Sequence, residues 1–437
     1  MNCVETERTR TDRCEKYCPL DLVCPPDSEI FSSTFVSDCL AFNVKRQIKT
    51  LNCTTKLICN CTKDSTEQLD ALKSLADQIV EDTRLADHLD SGLISDLVEF
   101  LDGNKSPQFQ YYSAVVFETI VSNKGKEFKD RSVPYLLNLI LSPKGYVQTT
   151  ALFTLANIAN VFPESCDFMI KNGVLRDLES LISNEYNHYE LLESGCKLLT
   201  AFCRMKPQLL SDKMDIVVNT ISTAIGYVHE SVLIQGCLAL SLLSDQGLVK
   251  IGTGVDRLLD LINYSVLQIV ISALRTIGNY VRWGNDEEIQ FMIRLSSLAV
   301  VGELLPHKCT IVRKEACWII SNVTAVANSS QMQDIYDLGL IDMLLERVRS
   351  DEFDVKEVAA RAISNVFHGS DQKLFECMKD EYFPILDDLC LLFSDDPQMA
   401  ALCSKILELD NTYLTKILEP VSTHKNGRKV EHRSLCD

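Results

Sequence analysis

The chain has 437 residues, 46% of them hydrophobic and 24% charged, a composition that folds and that excludes disorder over most of its length. Lys and Arg number 43 against 61 Asp and Glu, a formal net charge of -18, which argues against a general nucleic-acid binder and favours a basic ligand. No run of about 18 apolar residues occurs, and Met1-Asn2-Cys3-Val4-Glu5 lacks the start of a secretory signal, so the sequence reads as soluble and intracellular, with no membrane partner.

The first stretch, 1–65, is Cys-rich: Cys3, Cys14, Cys18, Cys24, Cys39, Cys53, Cys59 and Cys61 fall there, with no histidine. Their spacings, such as Cys14-x3-Cys18-x5-Cys24, do not reproduce the paired CxxC of a tetrahedral zinc site. They read as incidental thiols in a poorly ordered arm, and no metal or other cofactor is expected. The sequons Asn52-Cys53-Thr54 and Asn60-Cys61-Thr62 read as chance matches.

From residue 66 the sequence is periodic. A turn residue followed by an apolar helical run recurs at Gly92, Gly173, Gly254 and Gly339, spaced by 81, 81 and 85 residues. Intermediate copies without glycine fall near Ser132, Lys213, Ser297 and Glu381, which makes the period 40 to 43 residues. That period, with helical and no strand-like patterning, predicts an all-α armadillo or HEAT array of about eight units over 66–410, followed by a basic, flexible tail over 411–437. One such unit cannot bury its apolar faces alone, and stacked units share a core.

Each turn is followed by a longer helix with its own pattern, seen in Lys314-Glu315-Ala316-Cys317-Trp318-Ile319-Ile320-Ser321-Asn322 and Ala273-Leu274-Arg275-Thr276-Ile277-Gly278-Asn279. Asn157, Asn279, Asn322 and Asn365 recur at one register of mostly apolar helices. Asn is a poor helix former and costly if buried unpaired, so the register needs a reason. Two are open: the amides hold a ligand, or they form an internal ladder joining neighbouring repeats.

These motifs, together with Phe202-Cys203-Arg204-Met205-Lys206-Pro207 and Leu243-Ser244-Asp245, resemble the importin-alpha family over about residues 90 to 375. The resemblance implies a right-handed superhelical armadillo solenoid whose long helices line a concave groove. It also implies a nuclear import adaptor, present in cytoplasm and nucleus, that binds nuclear localisation signals. In that family a Trp and an Asn one helical turn apart clamp an extended basic peptide: amides hold its main chain, and indole faces hold Lys or Arg.

Carried over, the ladder becomes Val115/Thr119, Phe153/Asn157, Lys197/Ala201, Leu238/Leu242, Arg275/Asn279, Trp318/Asn322 and Arg361/Asn365. Only Trp318/Asn322 is complete, and Lys197 puts a positive charge where a cation slot is expected. The expected peptide site is therefore Trp318, Asn322, Glu315, Asn279, Arg275, Asn365 and Arg361, with Asn157 and Phe153 as remnants of the eroded half. Against these stand plainer readings: Trp318 and Phe153 as packing residues, Arg361 as a solvated charge.

The expected partners are basic peptide segments of cargo proteins. Residues 1–65 offer nothing denser than Val44-Lys45-Arg46-Gln47-Ile48-Lys49, which speaks against the importin-beta-binding helix that the resemblance implies; an export receptor is a further candidate partner. The alternative is a degenerate paralogue or an armadillo scaffold without import cargo. No HExxH, GxSxG or P-loop is present, so no enzyme is expected.

Overall fold

The computed structural model describes residues 33–249, 254–284 and 297–392, with residues 397, 401, 404, 407 and 408 beyond them, and side chains from residue 45 onward. Cys3, Cys14, Cys18, Cys24, the Cys39 thiol and the tail 411–437 lie outside the described residues.

Among the described residues all regular structure is helical. In chain order come α1 (Ser33–Asn60), α2 (Thr66–Glu81), α3 (Ser91–Glu99), α4 (Pro107–Leu139), α5 (Gly145–Val161) and α6 (Glu164–Lys171). Then follow α7 (Val174–Ile182), α8 (Tyr189–Met205), α9 (Met214–Gly226), α10 (Glu230–Asp245), α11 (Val255–Leu261) and α12 (Leu267–Trp283). The last are α13 (Ser297–Gly302), α14 (Thr310–Val326), α15 (Ser329–Asp337), α16 (Leu340–Ser350), α17 (Phe353–Gly369) and α18 (Gln372–Leu392). Helix α1 falls inside the Cys-rich stretch, and its Leu51 and Ile58 are fully buried.

The long helices α5, α8, α10, α12, α14 and α17, of 16 or 17 residues each, pack side by side in chain order and form the inner layer of an armadillo-repeat solenoid. Leu155, Phe202, Leu243, Ile277, Ile320 and Ile363, one from each, are fully buried. Burying such a side chain contributes ~1.5–3 kcal/mol, and here the burying surface is supplied by the next repeat. Polar contacts repeat on the same interval: Thr154 Oγ1 donates to the Ala114 carbonyl at 3.2 Å, and the Tyr227 hydroxyl to the Ile182 carbonyl at 2.6 Å.

The glycine turns are three of one kind and one of another. Gly173, Gly254 and Gly339 immediately precede α7, α11 and α16 with φ of 90°, 85° and 67°, a conformation a Cβ disfavours. Gly92, at the same sequence register, lies inside α3 instead, because Asp90 caps that helix and accepts from the Leu93 amide at 2.7 Å. Near Ser132 and Glu381 the expected turn is absent: α4 and α18 run through it with Pro134 and Pro384 inside. Both prolines sit on the exposed side, where solvent can satisfy the carbonyl left without a donor.

Candidate peptide groove

Helices α10, α12, α14 and α17 present one turn each to the inner face, and between them lies a cavity of about 330 Å3 lined by Asp245, Arg275, Asn279, Lys314, Glu315, Trp318 and Val358. The four expected residues Arg275, Asn279, Glu315 and Trp318 thus meet at one place. Asp245, Lys314 and Val358 were not singled out by the sequence; Asp245 ends the Leu243-Ser244-Asp245 motif, and Lys314 adjoins Glu315.

The half-buried Trp318 ring lies against α12 at Gly278, where an added Cβ would collide with the indole edge. The glycine inside the Ala273–Asn279 motif is therefore what lets the indole approach the neighbouring helix so closely. Among the described residues no Lys or Arg lies over the Trp318 ring.

The charges in the cavity are largely committed to each other. Glu315, with a side chain 12% exposed, accepts from Arg275 Nη2 at 2.6 Å and Nε at 3.1 Å. Lys314 pairs with Asp354 at 2.7 Å. Asp245 has no ion-pair partner among the described residues, and its exposed carboxylate stands at the rim.

The amides are used in a way that the ligand reading did not anticipate. Asn322 Nδ2 donates to the Gly278 carbonyl at 3.1 Å, and Asn365 Nδ2 to the Ser321 carbonyl at 3.1 Å and Thr324 Oγ1 at 3.2 Å. Asn157 reaches the Glu118 carbonyl at 3.5 Å. Each joins its helix to the preceding long helix, so the donors form the internal ladder that was the second reading of the register. The acceptor oxygens remain. Asn279 is 1% exposed, its Nδ2 donates to Ser244 Oγ at 3.1 Å, and its buried Oδ1 has no hydrogen-bond partner among the described residues.

The remaining expected residues lie elsewhere. Asn322 and Asn365 lie outside the cavity lining. Arg361 is exposed and pairs with Glu357 one turn away at 2.9 Å. Asn157 and Phe153 lie on α5, three long helices earlier than the cavity's α12. There Lys197 places its ammonium 4.5 Å from the Phe153 ring centre and 2.5 Å from Glu193 Oε1. The sequence placed Phe153 in the expected site and read Lys197 as a charge where a cation slot belongs; their separation of about one repeat was the available sign that they meet.

Among the described residues no cluster of three or more His, Cys, Asp or Glu could hold a metal, and no helix is long and apolar enough to cross a membrane. Burial pushes the thiols of Cys196, Cys203, Cys237 and Cys317 up to about 12, which leaves them inert packing groups in the core.

Repeat period, stacked long helices and a polar cavity on their inner face define an armadillo-repeat protein. No family model matches the chain. In sequence it is similar to importin subunit alpha-1a of Oryza sativa subsp. japonica, 30% identical over 268 residues, 59% of this chain and 50% of that protein. It is also similar to importin subunit alpha-4 of Arabidopsis thaliana, 31% identical over 329 residues, 73% of this chain and 60% of that one. The chain spans about half the length of the first of these relatives. In structure it resembles an engineered protein solved by crystallography, with a TM-score of 0.69 and 21% identity, covering 83% of this chain and 90% of the other. The chain is an armadillo-repeat protein similar in sequence to importin alpha subunits.

Proposed function

We propose that this protein is a nuclear import adaptor that moves between cytoplasm and nucleus and binds extended basic segments of other proteins, without covalent chemistry, in the C-terminal half of its inner face. The observation that carries this reading is the cavity itself, where Arg275, Asn279, Glu315 and Trp318, four of the residues expected at the site, come together with Asp245. Trp318 in the cavity wall and Asp245, which has no ion-pair partner among the described residues, offer a Lys or Arg side chain an aromatic surface and a counter-charge. The relatives in rice and Arabidopsis, named as importin alpha subunits, support the import role.

A second reading is favoured by the inter-repeat bonds of Asn157, Asn322 and Asn365: a degenerate paralogue or armadillo scaffold, in which the amides stabilise the stack and carry no cargo. Titration of a fluorescent octapeptide of alternating Lys and Arg by anisotropy separates the two. Under the adaptor reading binding is saturable, weakens as salt rises from low to physiological strength, and loses about tenfold or more on Trp318→Ala, as hot-spot aromatics do. No saturable binding at either salt would leave the scaffold.

A further inference from the structure

The N-terminal half of the inner face carries a different arrangement. Phe153 on α5 is half-buried and turns its ring to the same face as Asn157, one turn on. Helix α8 faces it with Glu193 and Lys197, four residues apart. The Lys197 ammonium lies 4.5 Å from the centre of the Phe153 ring and is held by Glu193 at 2.5 Å. A lysine free in solvent would be well exposed, yet this side chain is 29% exposed and Glu193 only 24%. Aromatic face, carboxylate and apolar walls for the methylene stem are what a protein needs to hold a lysine of a ligand.

We infer that Phe153 and Glu193 form a slot for an alkylammonium or guanidinium side chain, that Lys197 of the chain itself is its resident ligand, and that this contact closes the N-terminal half of the inner face to basic segments. The inference rests on the reading that the face takes basic segments. A tethered group has an effective concentration of order millimolar, so a basic peptide at micromolar concentration does not displace Lys197, and the ammonium repels it as well. Glu193 is adapted to a resident cation: burial would raise its carboxyl, but hydrogen bonds from Lys197 and Ser231 and the nearby Lys197 and His229 hold it below the usual range.

The test uses the same octapeptide with the full chain carrying Trp318→Ala, which weakens the other half. Adding Lys197→Gln is expected to tighten binding about tenfold, the value of a desolvated cation–π contact, and adding Phe153→Ala to that pair is expected to remove the gain. A change below about twofold from Lys197→Gln, with or without Trp318→Ala, overturns the inference, as does a gain that survives Phe153→Ala undiminished, since that would be net charge alone. Failure of Trp318→Ala to weaken the wild type would count against the C-terminal groove and leave the Lys197 comparison readable. Independently of any Lys197 variant, Phe153→Leu is expected to raise acylation of Lys197 by an amine-directed reagent severalfold, read by mass spectrometry; an unchanged rate overturns the inference.

Discussion

The two halves of the inner face use the same kind of parts to opposite ends. Around α5 and α8 an aromatic ring and a carboxylate are already satisfied by Lys197. Around α12 and α14 the corresponding cation, Arg275, pairs with Glu315 instead, and among the described residues no Lys or Arg lies over the Trp318 ring. The difference teaches that a groove position is decided by what its neighbours already bind as much as by the residue standing in the register. A Phe in place of Trp is a modest change, whereas a lysine one repeat along can fill the slot outright.

The C-terminal half is also the more firmly built, and the largest expected effect tests that. Asp351, at the end of α16 with its side chain buried, accepts from Arg313 Nη2 at 2.7 Å and from Arg347 at 3.4 Å, and so ties α14 to the α16–α17 corner. Among the described residues the cross-repeat pairs of the N-terminal half, such as Lys105–Asp64 and Lys129–Glu164, have acids more than half exposed, at 54% and 62%. Asp351→Ala removes the carboxylate that two guanidinium groups share and is expected to cost ~3–5 kcal/mol in urea unfolding, whereas Glu164→Ala, at an exposed pair, should leave the urea midpoint nearly unchanged. Burial would raise the Asp351 carboxyl, but the Arg313 bonds, the Glu352 amide and the charges of Arg313 and Arg347 outweigh it and hold it low. Its stabilising contribution is therefore complete above the ordinary carboxylate range, about 4, and fades as pH falls through the lowered folded value. The gap between wild type and Asp351→Ala should accordingly narrow in acid.

Next in size is the seat of Trp318. Gly278→Ala sets a methyl group against the indole edge, and relieving that collision should cost ~1–3 kcal/mol in stability and weaken peptide binding severalfold by shifting the ring. If the variant unfolded as wild type does and bound peptide as well, the indole would not be a wall of the site. At Gly195, the helical glycine of α8, an added Cβ has as its nearest neighbour Leu181 Cδ2 at 3.2 Å, the end of a flexible side chain, so Gly195→Ala should cost less.

How much of this was legible follows from what each feature depends on. The repeat period was legible because burial of one unit against the next forces apolar residues to recur at a fixed interval, and Gly173, Gly254 and Gly339 mark corners that need a positive φ. Gly92 misled because the same corner can be made by an Asp90 cap, and Ser132 and Glu381 misled because a proline on the exposed side of a helix does not stop it. At the site, the register located Trp318, Arg275, Asn279 and Glu315 together, since residues at one register of stacked helices must be neighbours. It could not say which partner each had chosen. Whether an Asn donates to a ligand or to the helix behind it, and whether Lys197 points to solvent or onto Phe153, depends on distances of a few ångströms between repeats, which spacing along one chain does not encode.

The smallest expected effect decides what the amides are for. Asn365 makes two inter-repeat bonds at 3.1 and 3.2 Å and Asn322 one at 3.1 Å, whereas the Asn157 contact is long at 3.5 Å. A hydrogen bond of ordinary length contributes ~0.5–1.5 kcal/mol, and one at the limit of reach contributes little. Asn365→Ala and Asn322→Ala should therefore each lower stability by about 1 kcal/mol, and Asn157→Ala by under about 0.5 kcal/mol. Peptide affinity supplies the second axis. If the ladder is purely structural, the three variants rank in binding as they rank in stability. If the amides also serve the groove through their free oxygens, Asn322→Ala, one turn from Trp318, should weaken binding more than Asn365→Ala at equal cost in stability. A bond made to the neighbouring repeat fixes the amide plane and so aims the remaining oxygen, which makes the two uses compatible and predicts that stability and affinity fall together at Asn322 alone.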